Sequence, residues 1–172
     1  MEKRSIVIWA LCGLMVLLLA GCGDGGGAAP SQQFSPAIAT LKLVTQGTLP
    51  AETSLSGVSV TISLPAGVTP VMHPTGEVDS ATVTVSGVAI PSSSLPPTYT
   101  PATGTAPATL QLVITNTAAE GFGVGEFATV TCSVTPGFHP RGEDFSVSNF
   151  SAITLTGGAA TTVEPAFIAE IK

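Results

Sequence analysis

From residue 38 onward apolar side chains recur at every second position, a period that buries one face of a strand and cannot build one face of a helix. The clearest run is Val58-Ser59-Val60-Thr61-Ile62-Ser63-Leu64, aliphatic on one side and hydroxylated on the other. Residues 81–86 set Ala81, Val83 and Val85 against Thr82, Thr84 and Ser86, and 109–114 set Leu110, Leu112 and Ile114 against Thr109, Gln111 and Val113. In 127–134, Ala128, Val130, Cys132 and Val134 form the expected inner face, with Phe127, Thr129, Thr131 and Ser133 outside. In 163–171, Val163, Pro165, Phe167, Ala169 and Ile171 oppose Glu164, Ala166, Ile168 and Glu170. Weaker strands are expected at 38–45, 68–73, 97–101 and 145–150.

Turn formers punctuate these runs: Gly47, Pro65-Ala66-Gly67, Thr75-Gly76, Pro91, Gly104, Gly121 to Gly125, Pro136-Gly137 and Gly157-Gly158. No stretch after residue 30 keeps a helical period for ten residues; 117–120 could form one turn. About nine short, half-buried strands predict an all-β fold, an antiparallel β-sandwich of jelly-roll type over 37–172. A domain of that length buries roughly two-thirds of its unfolded surface and needs no disulfides. Only 9% of the residues are charged, against about 25% in an average domain. Strand faces covered by Ser and Thr account for that, since hydroxyls suit a pleated surface. With five Lys and Arg and a net charge of −6, the chain lacks the basic patch that nucleic acid requires.

The first 21 residues have another character. Lys3 and Arg4 precede an apolar run from Ile6 to Ala20, the proportions of a signal peptide and shorter than the ~20 residues that span a bilayer. The run ends in Leu19-Ala20-Gly21-Cys22, which resembles the lipobox of bacterial lipoproteins. The resemblance implies recognition of Leu19, Ala20 and Gly21 by a signal peptidase, cleavage before Cys22, and lipid on the Cys22 sulfur. Acyl chains contribute about 0.8 kcal/mol per buried CH₂, so two or more hold a protein on a membrane. Gly23, rather than Asp, follows Cys22; by the same resemblance this implies outer-membrane placement in a Gram-negative host. Residues 22–36 continue as GDGGGAAPSQQFSP after the cysteine and read as a flexible tether. The mature chain keeps three cations, Lys42, Arg141 and Lys172, against ten acids, and Cys132 is its sole free thiol.

Three segments carry a second resemblance. Residues 55–68, LSGVSVTISLPAGV, are similar to an early cohesin strand preceded by Gly. Residues 125–134, GEFATVTCSV, resemble a later cohesin strand, and 145–155, FSVSNFSAITL, the strand after it. Cohesins are nine-stranded jelly rolls that share their architecture with cellulose-binding modules. The resemblance implies a non-catalytic module that binds a dockerin-like protein partner or a polysaccharide, although no dockerin-like calcium loop is present in the chain.

Sugar recognition calls for aromatic platforms; Phe122 and Phe138 lie in expected Gly/Pro-rich loops, and Tyr99 lies near Pro97 and Pro101. A stacking strip and plugs for the sandwich ends are both open to these residues. Cys132 is expected to point inward as a small hydrophobe. His73 and His139 each precede Pro, without a second ligand at metal-binding spacing. Glu77/Asp79 and Glu143/Asp144 are acidic pairs in turns; either could contribute to a calcium site, which takes six to eight oxygens, but such pairs are more often solvated. The glycines of 121–125 precede a strand, not the helix that a phosphate cradle uses. Neither a Ser–His–Asp order in context nor a carboxylate-pair signature is present. No catalytic residue, metal or cofactor is therefore assigned. The expected function is protein binding or assembly at the cell envelope through a flat Ser/Thr face, with polysaccharide binding or a purely structural envelope role as alternatives.

Overall fold

The alternating runs become ten antiparallel strands in two sheets. The structure, a computed structural model, describes residues 37–172; the expected signal peptide and tether, with Leu19, Ala20, Gly21 and Cys22, lie outside the described residues. The first sheet has β1 (Ala37–Gly47) at its centre, flanked by β10 (Val163–Ile171) and β8 (Glu126–Val134). Two short strands, β3 (Val68–Pro70) and β4 (Val83–Val85), pair in turn with the other side of β8. The second sheet has β2 (Leu55–Leu64) between β9 (Ser146–Thr154) and β7 (Ala108–Thr115). Here β5 (Ser93–Ser94) and β6 (Thr98–Thr100) both pair with the outer side of β7. The result is the expected antiparallel sandwich, with one strand more than the sequence count.

Leu41, Leu43, Phe127 and Val130 of the first sheet meet Val60, Ile62, Leu110 and Leu112 of the second in one buried core. Each fully buried side chain of this size contributes about 1.5–3 kcal/mol. Three buried threonines join the core, and each finds a backbone partner, as a hydroxyl removed from water must. Thr45 Oγ1 donates to the Gly125 carbonyl at 3.1 Å and accepts from the Gly125 N–H at 3.0 Å, tying β1 to the segment entering β8. Thr154 Oγ1 makes the same reciprocal pair with Gly158, at 3.1 Å each way. Thr82 Oγ1 donates to Val71 O at 3.2 Å.

Two local readings need correction. Phe127, expected outside, is buried, because β8 carries a bulge. Leu43 opposes Ala128 and Val44 opposes Glu126, so Phe127 is an extra residue and both it and Ala128 turn inward. Residues 81–86 are not a uniform strand: Ser80–Thr82 form a 3-10 turn, whose first N–H groups include Ala81 N donating to Asp79 Oδ1 at 2.8 Å. The turn rotates Thr82 inward and leaves Ala81 exposed, and only Val83–Val85 pair as strand.

The register gives the sandwich two distinct ends. The proximal end, where Ala37 begins β1, gathers Leu64, Val68, Ala108, Val134 and Ile171. The distal end gathers Gly47, Leu55, Thr115, Glu126 and Val163.

Phe127→Ala is expected to cost about 3–5 kcal/mol in urea unfolding. Thr131→Ala, on the solvated face of the same strand, should stay within about 0.5 kcal/mol. Equal and small effects would mean that Phe127 is not a core residue.

Candidate functional site

The outer face of the second sheet is chemically uniform, lined by hydroxyl, amide and aliphatic side chains. On β2 the outward residues are Ser59, Thr61 and Ser63, each between an inward aliphatic pair. The register aligns them with neighbours on both sides: Thr61 faces Gln111 and Ser148, and Ser63 faces Thr109 and Ser146. Thr98 and Thr100 of β6 extend these same two rows, opposite Gln111 and Thr109. The third row runs from Ser151 through Ser59 to Val113. Between Ser148 and Ser151 a bulge at Asn149, where φ is 47°, resets the parity of β9 and returns Ser151 to the outer face. None of these residues is charged. At Gly57 the missing side chain leaves a depression of about 160 Å³ walled by Ser59, Val113, Thr115, Ser151 and Ile153.

Such a face presents hydroxyl donors and acceptors about 6.8 Å apart along each strand and about 4.8 Å apart between strands. Ser and Thr have few rotamers to lose, so a partner meeting them sacrifices little side-chain entropy. The first sheet differs, because its outer face includes Lys42, Glu164 and Glu170. The hydroxyl alternation was legible in each strand, but the rows were not. They depend on register between strands far apart in sequence, for which no local signal exists.

The three aromatic candidates separate. Phe122 is only 3% exposed and sits at the distal end, its backbone paired with Leu55 (Leu55 N to Phe122 O 2.8 Å, Phe122 N to Leu55 O 3.0 Å). Buried in the core, its ring has no face for a ligand. Phe138 and Tyr99 share the proximal end. Phe138, 45% exposed, lies on Gly67, whose φ of +79° and lack of a Cβ allow the ring to rest against the backbone. Tyr99, half-buried, helps line a groove of about 430 Å³ with Pro65, Gly67, Thr69, Thr105 and Pro107.

The acidic pairs have local partners. Asp79 caps the 3-10 turn and lies 3.4 Å from His73 Nε2. Asp144 Oδ2 accepts from Arg141 N at 2.7 Å, and Glu143 lies 3.3 Å from the Arg141 guanidinium. Among the described residues, no three His, Cys, Asp or Glu side chains converge to hold a metal ion. Cys132 is buried on β8, and burial pushes its thiol up to about 12.

That shift has a sign. The thiol is protonated in both states at neutral pH, and its contribution to stability is complete below about pH 9, its ordinary value. Above that the unfolded thiol ionises while the buried one does not, so stability falls by about 1.4 kcal/mol per pH unit until pH approaches 12. Cys132→Val should flatten this slope in unfolding measured against pH, and native Cys132 should resist a thiol reagent that modifies it fully in denaturant. Compared with known proteins, the chain matches no family model, no curated protein and no solved structure.

Proposed function

We propose that this chain is a non-catalytic binding module, held at a bacterial cell envelope by lipid on Cys22, that engages a protein partner through the outer face of its second sheet. The observation that carries the reading is the alignment of Ser59, Thr61, Ser63, Ser146, Ser148, Thr98, Thr100 and Thr109 into rows on one rigid, uncharged face. Recognition there rests on hydrogen bonds and shape, and a partner of dockerin-like type suits a flat sheet face. Lipid anchorage rests on the Leu19-Ala20-Gly21-Cys22 sequence after its apolar run, with the outer membrane as destination where the host has one.

A second reading, polysaccharide binding, is favoured by one feature: Tyr99 and Phe138 occupy the same end of the sandwich, beside an uncharged groove. Retention of the protein on sedimenting cellulose or chitin, lost in both Tyr99→Ala and Phe138→Ala, would support it over the sheet face.

Capture of host envelope proteins should be abolished by Thr61→Arg and kept by Thr131→Arg on the opposite sheet. Because no charge lies on the face, capture should change little with ionic strength. Equal capture by both variants would defeat the sheet-face reading. Anchorage has a separate check: Cys22→Ser should eliminate fatty-acid labelling, and persistent labelling would exclude Cys22 as the attachment point.

A further inference from the structure

We propose that the distal end of the sandwich is a second interaction surface, one that receives a basic protein segment with an apolar centre. It uses neither the hydroxyl face nor lipid on Cys22, so it goes beyond the function proposed above.

Residues 120–126, Glu-Gly-Phe-Gly-Val-Gly-Glu, cross this end between β7 and β8. Phe122 turns inward, and a Cβ placed on Gly123 would meet nothing within 4 Å, so the segment forms a low, open backbone strip. Aliphatic side chains stand beside it. Leu155 Cδ1 comes within 3.0 Å of the position of a Cβ on Gly121, and Val88 Cγ1 within 2.9 Å of one on Gly125. Leu155 and Val88 are 41% and 40% exposed, and Ile90, two residues beyond Val88, is 64% exposed. The strip is thus flanked by apolar side chains and terminated by Glu120 and Glu126.

Charge selects the partner. Glu52, in the connection between β1 and β2, and Glu164, at the start of β10, belong to the same end. The distal connections 48–54, 86–92, 116–125 and 155–162 contain no Lys, Arg or His. Of the cations, Arg141 and Lys172 are at the proximal end, 3.3 Å from Glu143 and 3.6 Å from Glu170, while Lys42 stands in the middle of β1 on the outer face of the first sheet, one outward position before Val44, the partner of Glu126. Among the described residues no cationic side chain is within 4 Å of the four distal carboxylates. An anionic lipid surface, a nucleic acid, or the same end of a second copy would bring like charges together. A Lys- or Arg-bearing segment complements the carboxylates, and an apolar centre covers Leu155 and Val88.

The test uses the full chain and three labelled peptides followed by fluorescence anisotropy: Lys and Ser alternating around two central Leu, the same with Glu for Lys, and the same with Ser for Leu. Only the first should bind well. Its affinity should fall about tenfold or more in Glu120→Gln/Glu126→Gln and in Val88→Ser/Leu155→Ser, about 1.4 kcal/mol by conversion. Glu143→Gln/Glu170→Gln removes the same charge from the proximal end and should leave affinity within about twofold. Unchanged melting and circular dichroism establish that each variant is folded. An equal loss in the proximal variant, full binding by either distal variant, or equal binding of the Ser-centred peptide would overturn the proposal. Thr61→Arg leaves this surface intact, so failure of the sheet-face reading would be seen separately.

Discussion

Each strand must keep the same side turned toward the dry gap between the two sheets, and the rest of the structure follows from that. A one-residue slip of β2 would exchange Val58, Val60, Ile62 and Leu64 for Gly57, Ser59, Thr61 and Ser63 in the core. Every aliphatic burial would be forfeited, and each unpaired hydroxyl would cost about 1–3 kcal/mol more. In most sandwiches outward charges add a larger penalty against such a slip. This chain, with so few charges, relies on hydroxyl desolvation and on geometric pins instead. The reciprocal Thr45–Gly125 and Thr154–Gly158 bonds are two of those pins, because neither survives a shift of its strand.

Parity also explains which parts of the fold could be read from sequence. Where a strand is regular, as in β7 and in β2 from Val58 to Leu64, alternation assigns every side chain to its observed face. Where a strand contains an extra residue, alternation holds on each side of the insertion and fails across it. Phe127 at the β8 bulge and the Asn149 region of β9 are such places. Nothing in FATVTCSV marks the first position as a bulge, since the extra residue is defined by its partner, Leu43–Val44, more than eighty residues away. The aromatic candidates were obscured for a related reason. Phe122 and Phe138 both lie near Gly in turns, yet one plugs the distal core and the other rests outside on Gly67. Only the path of the neighbouring connection distinguishes them.

Sheet edges are the other demand on a protein with so little charge, because an open edge offers unpaired N–H and C=O groups to any extended chain. The short strands β3 to β6 break two of the edges into pieces. On β10, Ile38 and Lys172 exchange both backbone bonds, so the odd-numbered residues point toward the free edge. Pro165 stands at one of those odd positions and presents no donor there. Nearer the proximal end, Gly142 packs against Ala169, and the turn Gly142–Asp144 lies alongside the strand. The free edge of β9 is interrupted by its own bulge at Asn149. Backbone geometry here blunts the edges that other sandwiches protect with lysine.

The scarcity of charge gives position unusual weight. Strand β1, eleven residues long, separates the two ends by about 35 Å at ~3.3 Å per residue, several times the ~8 Å over which charges interact at physiological ionic strength. Arg141 and Lys172 therefore cannot offset Glu52, Glu120, Glu126 and Glu164, and of the three cations in the described residues only Lys42, in the middle of β1, lies nearer to them. The uncharged rows of the second sheet lie between the ends and add no field of their own. Binding through those rows would respond to shape and hydrogen-bond geometry and ignore salt, whereas binding at the distal end would weaken as salt rises. Two surfaces that differ in this way and share no side chain can be engaged independently, so a single small sandwich has room for two partners of unlike chemistry.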